Sequence, residues 1–231
     1  MISYSDWLLG EFLEALEATG HDKDTTVIFA SDHGEWAGDY GLVEKCSSAP
    51  DDCLTNVPLI VRMPGGARGH VVEGVTQLYD VMATCLDLAN IEARHTHFAR
   101  SLVPQIRGAP GDLQRATFSE GGYNEYEPQC FEDLPLPPEH IYCPKIHLRN
   151  TEPGTITRTT MMRTTDFKLV LRPDGPSELY DLRKDPREIE NVFNHETYAG
   201  PQSAMQQRML AWYIRTSDVT PLGLEDNRGL P

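Results

Sequence analysis

Positive charge is scarce in this chain. Its 20 lysines and arginines stand against 35 aspartates and glutamates, which gives a formal net charge of −15 at pH 7. This balance excludes the phosphate backbone of nucleic acids as a partner, because the two surfaces would repel each other. An anionic ligand would have to be held by a local group of cations or by a metal ion.

Long apolar runs are also missing. No segment approaches the roughly 20 apolar residues of a transmembrane helix, so the sequence predicts no membrane span. The residues after Met1 do not resemble a signal peptide, because no basic segment is followed by an apolar one. The compartment is left open between cytoplasm and periplasm.

Cysteines are few, and their spacing fits no zinc-binding pattern. The five are Cys46, Cys53, Cys85, Cys130 and Cys143, so at least one is unpaired within a monomer. Cys85 falls on the apolar side of a predicted helix and is expected to be buried. Cys130 and Cys143 bracket a proline-rich stretch, and the sequence is compatible with either a disulfide or two reduced thiols there.

Apolar periodicity predicts alternating helices and strands in the first 120 residues. Spacings of three and four predict helices over 5–18 and 78–89, with Asp80 and Asp87 on the exposed side of the second. Apolar runs predict strands over 25–30 and 57–62, which would be buried on both faces as in a parallel sheet. The expected fold class is α/β, with a partial, mainly parallel sheet flanked by helices.

The second half of the chain has a different pattern. Six prolines between residues 121 and 154 predict a loop excursion without long regular elements. Three short strand patterns then predict a small antiparallel sheet, and a helix over 202–215 is expected to pack on it. The predicted divisions are an α/β part, the loop excursion, the sheet and helix, and a tail, at 1–120, 121–154, 155–217 and 218–231.

Two candidate metal ligands follow the first predicted strand. The strand ends in Ser31-Asp32-His33-Gly34, which places a carboxylate beside an imidazole at the end of a strand, where ligands bind in α/β folds. One oxygen and one nitrogen donor suit a divalent cation. Lys45, later in the chain, can supply a fixed positive charge to the same crevice. The alternative is an ordinary turn with a solvated Asp and His.

The surrounding segments resemble a known family. They are Thr26–Glu35, Gly38–Leu42, Lys45, Val57–Gly65, Gln77–Ala89, Arg100–Pro104, Phe118–Glu120, Met162–Val170 and Glu178–Pro186. In this order they resemble the second half of the sulfatases, members of the alkaline-phosphatase-like superfamily. No single segment is specific, but the ordered combination is.

This resemblance implies a site. Asp32 and His33 would be two ligands of a divalent metal. Ca²⁺ is the first candidate, and Mg²⁺ and Mn²⁺ are the alternatives. Lys45 would be the catalytic lysine that contacts the sulfate oxygens of a small-molecule or sugar sulfate ester. His140 and His147 are further candidate substrate-binding residues, with exposed surface positions as the alternative.

One motif of the sulfatases does not occur in this sequence. It is Cys/Ser-x-Pro-x-Arg, whose Cys or Ser becomes the nucleophilic formylglycine. We therefore expect the C-terminal portion of a sulfatase, inactive alone, that associates with an N-terminal half or with itself. Two alternatives stay open: a phosphodiesterase or phosphonate monoester hydrolase of the same superfamily, and a non-enzymatic remnant or binding module.

Overall fold

Helices and two antiparallel sheets make up the described part of the chain. The computed structural model describes residues 2–124, 127 and 135–219. Its helices are α1 (Ile2–Ala18), α2 (Asp52–Thr55), α3 (Asp80–Leu88), α4 (Val103–Ile106), α5 (Cys143–Thr151) and α6 (Ala199–Thr216). Its strands are β1 (Val27–Ala30), β2 (Leu59–Arg62), β3 (Thr117–Gly121), β4 (Thr159–Arg163), β5 (Phe167–Leu171) and β6 (Glu178–Asp181). The predicted α/β class is confirmed, whereas Cys130 and the predicted tail beyond residue 219 lie outside the described residues.

The first two strands pair with each other. Val27 of β1 lies opposite Arg62 of β2, and the pairing is antiparallel rather than parallel as predicted. A parallel pair needs a crossover of about a dozen residues or more, usually an α-helix. The connection over residues 31–58 is long enough, but it holds only a short 3₁₀ turn and the four-residue α2, so it lacks such a helix. Side chains of β2 alternate between half-buried and exposed, so the strand is not buried on both faces as expected.

The second sheet confirms the predicted antiparallel subdomain. Its strand order is β3-β4-β5-β6, and each neighbouring pair is antiparallel. Its first strand, β3, comes from residues before the predicted subdomain. Helix α6 covers the sheet, and together they bury a core of Ala116, Met162, Leu169, Leu179, Val192, Met205 and Met209. Since apolar burial contributes roughly 25 cal/mol per Å², this core is the main source of stability in the second half.

The predicted loop excursion contains a regular helix. Helix α5 runs over nine residues of the proline-rich stretch, and Pro144 lies in its first turn. A proline is tolerated there because the first amides of a helix have no partner within the helix. The prolines therefore limit where α5 begins without preventing it.

Ion pairs join α2 to the second sheet. Asp52 of α2 accepts a hydrogen bond from Arg163 of β4 at 2.8 Å, and it lies 3.4 Å from the ammonium of Lys168 in β5. Lys168 is almost completely buried and also pairs with Glu188 at 2.7 Å. The connection after β1 is thus anchored to the second sheet through charges.

Two predictions about α3 are wrong. Asp80 is completely buried instead of exposed, because it forms an ion pair with the buried Arg115. Cys85 is exposed instead of buried, because the described residues leave that side of α3 open to solvent. Asp87 is exposed, as expected.

Helix α1 follows its predicted apolar periodicity but has no buried residue. Trp7, Leu8 and Phe12 are each about half exposed in the described structure. The helix therefore presents an apolar face that no described element covers. Across the described residues, no helix combines the length and apolarity that a membrane crossing demands.

Candidate functional site

Asp32 and His33 lie directly after β1, as the motif predicts. The Oδ1 atom of Asp32 accepts the backbone N–H of His33 at 3.0 Å, and its Oδ2 atom lies 3.6 Å from Nε2 of His33. The Asp32 side chain is 85% exposed, so its second oxygen is open to a ligand. The two candidate donors are therefore held side by side.

The imidazole of His33 is oriented by the backbone. Its Nδ1 lies 2.8 Å from the carbonyl oxygen of Gly34, which can only accept, so Nδ1 carries a proton. In the neutral ring the lone pair is then on Nε2, the atom that faces Asp32. One oxygen and one imidazole nitrogen fit a divalent cation. Among the described residues, no three His, Cys, Asp or Glu side chains are grouped closely enough to form a complete metal site.

Gly34 attaches the turn that follows β1 to helix α2. Its backbone N–H donates to Leu54 at 2.8 Å, and the next amide, of Glu35, donates to Cys53 at 3.1 Å. A Cβ atom on Gly34 would lie 1.9 Å from the carbonyl oxygen of Cys53, which is impossible without moving the backbone. Glycine is thus required where the chain carrying the candidate ligands meets α2.

One cavity of about 570 Å³ brings the predicted residues together. Asp32, His33 and Lys45 all contribute to its lining. Further lining residues come from distant parts of the chain, including Gln77, Phe118, Tyr123, Lys145 and Arg149. The cavity therefore lies between the end of β1 and the second half of the chain.

His140 and His147 do not belong to the lining of this cavity in the described structure. His140 lies in the turn before α5, next to the ring of Tyr142. His147 is on α5 but points to an exposed position. Their predicted contact with substrate stays a prediction, whereas Lys145 and Arg149 of the same helix do face the cavity.

Cations surround the carboxylate of Glu44 on one side of the cavity. Lys145 donates a hydrogen bond to this carboxylate. That bond, and then the positive charges of Lys145, Lys45 and Arg149, hold the pKa of Glu44 below its ordinary value, although partial burial acts in the opposite direction. An acidic protein thus has a group of positive side chains at the place where the predicted site lies.

Glu44, Lys145 and Arg149 were not among the predicted site residues. Lys145 and Arg149 are four residues apart, which places them on one face of a helix. That spacing could have indicated a paired cationic position, but the prolines around it indicated a loop. Glu44 directly precedes Lys45, and only its contact with the distant Lys145 distinguishes it from other surface acids.

A second cavity of about 230 Å³ is also lined by Lys145 and Arg149. It shares Cys46, Ala49, Lys145 and Arg149 with the first cavity. Trp36 contributes to its lining and is almost fully buried. The Trp36 indole N–H donates to Asp51 at 3.1 Å, and burial raises the pKa of the Asp51 carboxyl.

Comparison with known proteins gives consistent matches. Residues 1–91 match the family model described as Sulfatase. The uncharacterized sulfatase YidJ of Escherichia coli K12 is 29% identical over 219 residues, which cover 93% of this chain and 37% of YidJ.

Solved structures match over nearly the whole chain. The phosphonate monoester hydrolase of Agrobacterium radiobacter has a TM-score of 0.74 at 26% identity, covering 98% of this chain and 44% of that one. The structure of BT4656 in complex with its substrate D-glucosamine-2-N,6-O-disulfate has a TM-score of 0.71 at 26% identity, covering 94% and 39%. The chain thus spans less than half the length of each of these proteins.

Proposed function

Because this chain belongs to the sulfatase family, we propose that it contributes a metal-binding strand end and an anion-binding lysine to the hydrolysis of a sulfate ester. The observation that carries the proposal is the shared cavity of Asp32, His33 and Lys45. Sulfate transfer requires neutralisation of the non-bridging oxygens, and these three side chains are chemically suited to it.

In this proposal Lys45 binds the sulfate group directly. Its side chain is exposed at the cavity, so it is accessible to a ligand. An ammonium group is a compact point charge with three donors, which suits an oxyanion that must later be released. Lys45 would hold the ester in place and stabilise the charge on its oxygens during the reaction.

Asp32 and His33 would hold a divalent cation, with Ca²⁺ as the first candidate and Mg²⁺ and Mn²⁺ as the alternatives. When bound, such an ion neutralises the charge of the sulfate oxygens and activates a nucleophile. The two side chains supply only two donors, whereas Ca²⁺ takes six to eight oxygen ligands. We therefore propose that this chain alone binds the ion weakly and that further ligands come from elsewhere in the complete site.

The substrate that we propose is a sulfated sugar or a small sulfate ester. Support comes from BT4656, whose structure contains a disulfated glucosamine. The second candidate is a phosphonate monoester, supported by the similarity to phosphonate monoester hydrolase. Both substrate classes present a tetrahedral anion to the cavity, so the fold does not separate them.

We further propose that the chain is inactive alone. The nucleophile motif of the sulfatases does not occur in its sequence, and the exposed apolar residues of α1 offer a surface for an N-terminal sulfatase half or a second copy. Turnover of 4-nitrophenyl sulfate by the isolated chain, lost in Asp32→Ala, would contradict this part of the proposal.

An anion titration tests the site itself. Inorganic sulfate and phenylphosphonate are added to the isotope-labelled chain, with and without Ca²⁺, and the amide shifts around Asp32 and Lys45 are followed. We expect saturable shifts that weaken in Lys45→Ala and a Ca²⁺ response that is lost in Asp32→Ala. Lys23→Ala, at an exposed lysine on the short 3₁₀ turn before β1, is the matched control.

Two results of this titration would overturn the proposal. Sulfate shifts that are unchanged in Lys45→Ala would remove Lys45 from the site. A Ca²⁺ response that survives both Asp32→Ala and His33→Ala would place the ion elsewhere. A clear preference for phenylphosphonate over sulfate would favour the second candidate substrate.

A further inference from the structure

Lys145 is a buried lysine bonded to the residue next to the proposed anion-binding lysine. Only 4% of its surface is exposed, and its ammonium donates to the carboxylate of Glu44. The ammonium also lies 5.4 Å from the centre of the Tyr142 ring, which favours a cation over its face. Lys145 is therefore held in α5 with its charge directed at Glu44.

Glu44 has an unusual backbone conformation. Its φ angle is +70°, in the left-handed region that non-glycine residues adopt at a cost of about 1–3 kcal/mol. Such a conformation persists only where the surroundings fix it. Two bonds of the Glu44 backbone contribute to this: the Glu44 N–H donates to the Glu35 carboxylate, and its carbonyl accepts the N–H of Trp36 at 3.1 Å.

The chain is fixed again just after Lys45. The carbonyl of Ser47 accepts the N–H of Gly122 at 3.2 Å, and the hydroxyl of the buried Ser48 donates to Thr155 at 2.7 Å. Lys45 thus lies in a very short span between two anchored points. A change in the direction of the backbone at Glu44 must therefore move the base of the Lys45 side chain.

We infer that Lys145 is a positioning residue for Lys45. Lys145 acts by holding the Glu44 side chain, and with it the left-handed turn from which Lys45 projects. This inference rests on the proposed role of Lys45 as the anion-binding residue. The hydrogen bond from Lys145, and then the nearby positive charges, lower the pKa of Glu44 and keep its carboxylate ionised, so the pair persists at neutral pH. Helix α5 would thus set the position of a side chain that the strand end alone does not fix.

A direct contact between Lys145 and the anion is the competing explanation, because Lys145 also lines the cavity. A double-mutant cycle separates the two, since residues that act through each other have non-additive effects. The cycle uses inorganic sulfate as the probe and the dissociation constant from amide shifts of the full chain as the readout. Its variants are Lys45→Met, Lys145→Met and the double substitution.

If Lys145 acts through Lys45, Lys145→Met weakens sulfate binding by about tenfold in the native background and has no further effect in Lys45→Met. Lys145→Arg, which keeps the charge, should retain most of the affinity. Glu44→Gln should reproduce the loss without removing a buried side chain. Lys184→Met is the matched control, because Lys184 pairs with Asp181 and does not line the cavity.

A second readout needs no ligand. Hydrogen exchange at the hydrogen-bonded amides of Glu44 and Trp36 should become faster in Lys145→Met and stay near the native rate in Lys145→Arg. Unchanged exchange would overturn the inference, and so would additive losses of sulfate affinity in the cycle. A loss in Lys145→Met with none in Lys45→Met would overturn the proposed role of Lys45 as well, which distinguishes the two failures.

Discussion

Asp80 and Arg115 form a buried ion pair with two contacts. Arg115 Nη1 lies 2.7 Å from Asp80 Oδ2, and Nη2 lies 2.9 Å from Oδ1. The carboxylate also accepts the backbone N–H groups of Gln77 and Arg100, each at 2.9 Å. The Asp80 carboxylate thus joins three parts of the chain: the start of α3, the segment that follows α3 and the segment before β3.

Removal of the cation from this pair should destabilise the fold strongly. Arg115→Met leaves a buried carboxylate without its counter-charge, which costs about 3–5 kcal/mol. Urea denaturation measures the loss of unfolding free energy. Arg94→Met, at an exposed arginine, is the control and should change it by less than about 0.5 kcal/mol. A similar small change for both variants would show that the pair is not a structural anchor.

A methyl group at Gly121 should disrupt the loop that carries Lys45. The Cβ atom of an alanine there would lie 1.7 Å from the backbone oxygen of Ser47. We expect Gly121→Ala to lower the unfolding free energy by about 1–3 kcal/mol, because backbone must shift to admit the new atom. Amide shifts of residues 44–48 would report the displacement.

Gly10 provides the contrast for this substitution. It lies within α1, where no atom comes within 4 Å of an added Cβ. Gly10→Ala should therefore stabilise the chain by about 0.5–1 kcal/mol, because alanine is the better helix former. Equal effects of the two substitutions would contradict the close approach of Gly121 to the loop.

Cys53 should be slow to alkylate. Burial, and then the nearby carboxylates of Asp51 and Asp39, raise the pKa of its thiol to about 11. Since only the thiolate reacts, its labelling rate should rise about tenfold per pH unit between about pH 7 and pH 9. Timed iodoacetamide labelling with peptide mass spectrometry measures this rate.

The exposed Cys85 gives the comparison within the same molecule. It should be labelled well before Cys53 in the native chain. In urea, where burial is lost, the difference between the two thiols should largely disappear. Fast native labelling of Cys53 would show that its surroundings are open to solvent and reagent.

The apolar face of α1 should drive association. Trp7, Leu8 and Phe12 are exposed, and a few hundred Å² of such surface favour burial by several kcal/mol at roughly 25 cal/mol per Å². Sedimentation velocity at moderate salt, which screens the repulsion between acidic surfaces, should show oligomers or a complex with an added N-terminal sulfatase half.

Phe12→Ser should shift that equilibrium towards the monomer. Glu11→Ser, at the neighbouring exposed position, should not. A sharp monomer of the native chain at micromolar concentration, with no binding of an apolar dye, would contradict the association.

Local patterns in the sequence were sufficient to predict the long helices α1, α3 and α6 and most of the strands, but not α5 or β3. The spacing of Leu9, Leu13 and Leu16 predicted α1, and the β-branched run before Asp32 predicted β1, because both patterns depend on neighbours in the chain. The burial of Asp80 was not predicted, since its partner Arg115 lies 35 residues away.

The candidate site was predicted only in part for the same reason. Asp32, His33 and Lys45 lie in one segment, and the cavity that they share could be expected from that segment. Lys145 reaches Glu44 across 101 residues. Such a contact depends on how the second half of the chain folds back, which no local pattern encodes. The antiparallel pairing of β1 with β2 is a further example, because it depends on the path of an irregular connection.

Asp52 has a consequence for how this protein can be recombined with its relatives. Along the sequence it lies in α2, after the candidate ligands and Lys45 and before β2. Its partners, however, are Arg163 and Lys168 in the second sheet. A chimera whose crossover lies between residues 62 and 159 inherits one side of this contact from each parent. Such a crossover keeps the contact only where the parent of the first part carries the acid and the parent of the second part carries the two bases, so these three positions have to match across distant parts of the gene.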